Sequence, residues 1–188
     1  GESHEFTTSE VVNQGDPIRI YGAPNIAGLD LSKMADRLAI FTITNVYDES
    51  LGTKLTSLIV GSPSKDNLEL TEISGLKQAV ALEHLDVQGM TKITSLDLAS
   101  QPYFKTLKAF GSGVASVTFA KGAPVTTLEL PSAMRVLALE QLPYLTTDGI
   151  SLENIANLSA MTVLACPNVS NDFDFGYNWV ANKVASDA

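Results

Sequence analysis

A six-residue pattern, apolar-x-x-apolar-x-apolar, recurs along this chain and limits what it can fold into. It reads LTSLIV at 55–60, LEHLDV at 82–87, ITSLDL at 93–98 and FKTLKA at 104–109. It continues as VASVTF at 114–119, VTTLEL at 125–130, MRVLAL at 134–139 and MTVLAC at 161–166. The fourth and sixth positions alternate with an outward fifth, which is the period of a β-strand. So short a strand cannot bury its own apolar face. Stacked in parallel on copies of itself, it makes a sheet with one face on a continuous core.

The spacing of the fourth positions gives a register. Leu85, Leu107 and Leu128 follow at intervals of 22 and 21 residues, and Leu96, Val117 and Leu137 at 21 and 20. Two interleaved series with nearly one period mean that each coil carries two extended segments. The outer intervals, Leu58 to Leu85 and Leu137 to Leu164, are both 27. Each holds a helix-like stretch, GLKQAVALEHL at 75–85 and SLENIANLSAM at 151–161, the second with Ser151 placed as an N-cap. Gly, Pro, Asn and Ser punctuate the strands, as in Gly111-Ser112-Gly113 and Pro167-Asn168.

These residues carry a resemblance. The LxxLxL segments with short turns, and the ending LACPN at 164–168, resemble leucine-rich repeats. LDLSKMADRL at 29–38 and VTFAKGAPVTTLELP at 117–131 resemble repeat modules of gut-bacterial surface proteins and their phages. The resemblance implies a repeat solenoid of short parallel β-strands, turns and a few short helices. It is firmest over 55–166 and extends over 17–170 if IRIYG at 18–22 and LAIFTI at 38–43 are early coils. Residues 1–16 read as a loose or capping segment, and 171–188 as an aromatic cap or the start of a following domain.

Charge narrows the partners. Twelve basic residues against 21 acidic ones leave a formal net charge of −9. Phosphate recognition needs a basic face, so a nucleic-acid partner is not expected. The same sign disfavours an anionic membrane surface. No apolar run is long enough to span a bilayer, so no membrane insertion is expected. The first residue is Gly1 with no apolar leader behind it, so a signal segment is expected to lie outside this sequence.

Residues that could carry chemistry are few. His4 and His84 are the only histidines, and Cys166 the only cysteine. The repeat places His84 outward and Cys166 inward, several coils apart, which excludes a Cys–His dyad. No serine sits in a G-x-S-x-G elbow, and no glycine-rich loop ends in a phosphate-binding GK[ST]. Asp172 and Asp174 alternate with aromatics, but two carboxylates fall short of a calcium shell. The sequons at Asn157 and Asn168 matter only in a eukaryotic secretory pathway, and Asn157 falls in the second helix-like stretch. The expectation is a chain with no catalytic residue, no cofactor and no metal.

Two sets of residues remain as partner-binding candidates. Asp86, Lys108 and Glu129 hold the outward fifth position on successive coils, where opposite charges would form a ladder across the sheet. Phe173, Phe175, Tyr177 and Trp179 recur at a spacing of two, which gathers them on one face of a strand. They either close the open end of the core or meet a ligand. The expected function is a non-enzymatic recognition module for a protein or a glycan, on a bacterial cell or virion surface. The alternative is a structural spacer in a phage tail or surface assembly, with no small ligand.

Overall fold

The structure is a computed structural model and describes residues 26–43, 53–64, 69–154, 156–170 and 184–187. Short parallel strands form two sheets. The first contains β1 (Gly28–Asp30), β3 (Ser57–Ile59), β5 (His84–Asp86), β7 (Thr106–Lys108), β9 (Thr127–Leu130) and β11 (Ile150–Leu152), adjacent in that order. The second contains β6 (Ser95–Leu98), β8 (Ser116–Phe119), β10 (Val136–Glu140), β12 (Ala160–Leu164) and β13 (Val184–Asp187). A further pair, β2 (Phe41–Thr42) with β4 (Ile73–Ser74), is also parallel. From β5 to β12 successive strands alternate between the two sheets, so the backbone winds as a parallel β-solenoid.

The two predicted columns are both present. Leu85 lies opposite Leu107 and Leu107 opposite Leu128, and all three are buried. Leu96 lies opposite Val117, and Val117 opposite Leu137, again buried. The first positions Leu82, Ile93, Phe104, Val114, Val125 and Met134 are buried as well. One apolar cluster runs from Ala35 to Val169 through all these columns. Between the sheets, the Phe104 and Phe119 rings meet at a centroid distance of 6.1 Å with a 35° tilt.

Three expectations need correction. The stretch at 151–161 is not a helix: Ile150–Leu152 is a strand, β11, entered through a 3-10 turn at Thr147–Gly149. Pairing of Ile150, Ser151 and Leu152 with Leu128, Glu129 and Leu130 outweighs a weak helical period. Asn157 accordingly sits in an exposed turn, its side-chain amide donating to the Ser132 carbonyl at 2.8 Å. At 75–85 only Leu76–Gln78 is helical, as one 3-10 turn, before the chain extends into β5. Finally, Leu137 pairs with Met161 rather than Leu164, so the last repeat is shifted by three residues. Met161 and Val163 point inward and Leu164 is half-buried. Cys166 is still buried, its thiol donating to the Leu139 carbonyl at 3.4 Å.

In the early segment at 38–43, β2 pairs with β4 outside the two main sheets, and Ile43 is buried in the core cluster. Residues 18–22 and the 1–16 segment lie outside the described residues. Close stacking imposes residue type at some corners. A Cβ on Gly149 would stand 2.1 Å from the Thr126 carbonyl oxygen of the preceding coil, so only glycine fits there without moving backbone.

Candidate functional site

The outward face of the first sheet carries Asp86, Lys108 and Glu129 in direct register. The side chains do not join as the ladder that the sequence predicts. Asp86 turns back on its own strand end, accepting from the Gln88 backbone N–H and from the Gln88 amide, both at 3.0 Å. The cross-coil ion pair of this face lies one edge away: Lys105 Nζ stands 2.6 Å from Glu83 Oε2. His84 Nε2 is 3.8 Å from that same oxygen. The hydrogen bond from Lys105 holds the Glu83 carboxyl below its usual range, against a smaller opposing effect of burial; the charges of Lys105 and His84 add to the lowering.

The outward face of the second sheet is plainer. One column reads Ser95, Ser116, Val136 and Ala160; further along, Asp97 lies opposite Thr118, and Ala138 opposite Thr162. A shallow depression of about 310 Å³ lies against it, lined in part by Ala99, Thr118, Phe119 and Ala138. Lys121 and Glu140 also line it, with 4.0 Å between their charged atoms. The rest of its lining is apolar apart from the Thr118 hydroxyl.

Among the described residues, no three His, Cys, Asp or Glu side chains gather closely enough to hold a metal ion. Asp172, Asp174 and the aromatic series Phe173, Phe175, Tyr177 and Trp179 lie outside the described residues. No helix among the described residues is long and apolar enough to cross a membrane.

One feature escaped the sequence reading. Tyr103 and Tyr144 are 60% and 62% exposed, each directly after a proline in a corner turn. The turns match: Phe104 N–H closes on the Gln101 carbonyl at 3.2 Å, and Leu145 N–H on the Leu142 carbonyl at 3.4 Å. Proline takes the second place of each turn, where its fixed φ is favourable, and tyrosine the third. The signal was available, since Pro102-Tyr103-Phe104 and Pro143-Tyr144-Leu145 share an aromatic between a proline and a core residue.

The chain matches no protein-family model, no curated protein and no solved structure.

Proposed function

We propose that this chain is a non-enzymatic recognition module that engages a protein or a glycan through a pre-ordered surface. The carrying observation is the register of the first sheet, which fixes Asp86, Lys108 and Glu129 on adjacent strands above a continuous core. A face ordered before binding loses little conformational entropy on association. The leucine-rich-repeat kinship belongs to the same proposal, supported by the LxxLxL segments that became strands. So does a location on a bacterial cell or virion surface, where a repeat module can meet external partners.

The test is binding of the intact chain to arrays of glycans and of surface proteins, beside a variant with Asp86→Ala, Lys108→Ala and Glu129→Ala. Binding by the wild type and loss in the variant, with unchanged circular dichroism, is the expected result. A second reading, a structural spacer, draws on the Ser, Thr and Ala columns of the second sheet. Absence of any binding on both arrays would favour it.

A further inference from the structure

The two corner tyrosines have a geometry of their own. In the second sheet Leu98 lies opposite Phe119, and Val117 opposite Leu137. Tyr103 follows Leu98 by five residues, and Tyr144 follows Leu139, which stands two residues beyond Leu137, also by five. The two therefore occupy the same corner, two coils apart. Coils joined by parallel strand pairing rise just under ~5 Å each, so the tyrosines are separated along the axis by about 10 Å. The coil between them turns earlier, where Ala123 N–H closes on the Ala120 carbonyl, and carries Gly122 with a φ of 78°. That coil places Pro124, not an aromatic, at the matching offset.

We propose that Tyr103 and Tyr144 form a stacking strip for an uncharged β-1,4-linked polysaccharide. In such a chain, successive pyranose rings flip by half a turn, so alternate rings present the same face. Two rings laid end to end span the rise of two coils. One sugar per coil then puts alternate rings over Tyr103 and Tyr144, with the unmatched ring above the intervening corner. Axial C–H groups stack on the electron-rich ring face, much as other flat partners do on aromatic platforms. Exposed Ser100, Gln141 and Thr146 beside the turns supply neutral hydrogen-bonding groups for ring hydroxyls. The net charge of −9 disfavours a polyanionic glycan. Proline-rich peptides also read aromatics, but they seat in aromatic-lined grooves, whereas these tyrosines stand on turn tips.

This inference rests on the recognition reading and moves its contact from the strand face to a corner. The test is calorimetric titration of the full chain with β-1,4-linked hexamers of glucose and of N-acetylglucosamine. A β-1,3-linked glucose hexamer and decaproline serve as comparisons. At least one β-1,4 hexamer should bind, and the β-1,3 hexamer should bind far more weakly. Tyr103→Ala and Tyr144→Ala should each weaken binding by about tenfold, as for loss of one stacking platform. Tyr→Phe at either position should retain binding, because the ring face rather than the hydroxyl makes the contact. No binding of either β-1,4 hexamer, or equal binding by the double alanine variant, would overturn the proposal. Tighter binding of decaproline would reassign the strip to peptides. If the hexamers fail while the Asp86, Lys108 and Glu129 face binds an array partner, the strip falls and the recognition reading stands.

Discussion

The carboxylate of Glu153 accepts a hydrogen bond at 3.1 Å from the backbone N–H of Gly111, two coils earlier in the stack. The same oxygen accepts from Ser132 N–H, in the coil between, at 3.0 Å. One side chain thus closes amides of two earlier coils at a corner where strand pairing has ended. Glu153→Ala should lower stability by about 1–2 kcal/mol, in the range for hydrogen bonds to a charged acceptor at an exposed site. Amide hydrogen exchange checks the mechanism: Gly111 and Ser132 should lose protection together, with little change at Leu107 or Leu128.

Leu107 sits fully buried between Leu85 and Leu128 in the first column. Leu107→Ala should cost on the order of 2–5 kcal/mol, measured by urea unfolding. Unchanged stability would mean that the stack can collapse around the lost methyl groups, contrary to the tight column.

Gly149 and Gly122 separate two reasons for glycine. Gly149→Ala would press a Cβ against the Thr126 carbonyl oxygen and should cost about 1–3 kcal/mol through forced backbone shift. Gly122 has open space around its missing Cβ but a φ of 78°. Gly122→Ala should cost about 1 kcal/mol from conformation alone. Comparative thermal melts of the two variants check this order.

The Glu83–Lys105 pair gives a pH dependence with a definite sign. The folded carboxyl titrates below its unfolded value, so its contribution to stability is present above the unfolded value. That contribution is lost as pH falls through the folded value. The stability gap between wild type and Glu83→Gln should therefore close on acidification. Added salt should narrow it at neutral pH, because both side chains are partly exposed. A gap that widens in acid would reverse the assignment.

The columns through Leu85 and Leu96 were legible because one inward side chain per strand must meet its counterpart, and that leaves a period in the sequence. β11 was not legible. Ile150-Ser151-Leu152 is three residues long, and its neighbours Ile155 and Leu158 continue a helical spacing. Only pairing with β9 decides its state, and pairing is a long-range property. The slip at 161–166 has a related cause. Met161, Val163, Leu164 and Cys166 are all apolar, so more than one register keeps a plausible inward set, and the contact with β10 selects one. At the candidate face, the sequence placed Asp86, Lys108 and Glu129 correctly in register. Side-chain pairing was beyond it, because Gln88 competes for Asp86 locally. The tyrosine corner was legible in principle, but only once the turns were known to stack.

The winding itself sets how the molecule would answer a pull. A coil of 21 or 22 residues, as between Leu85, Leu107 and Leu128, advances the axis by only ~5 Å. Released and drawn straight, the same residues would span roughly 70 Å. Tension that peels one terminal coil therefore lengthens the chain more than tenfold over that coil's share of the stack. The remaining coils keep their own neighbours and their own core. Such a stack holds stored length, paid out coil by coil, while the surface on the coils still wound remains intact.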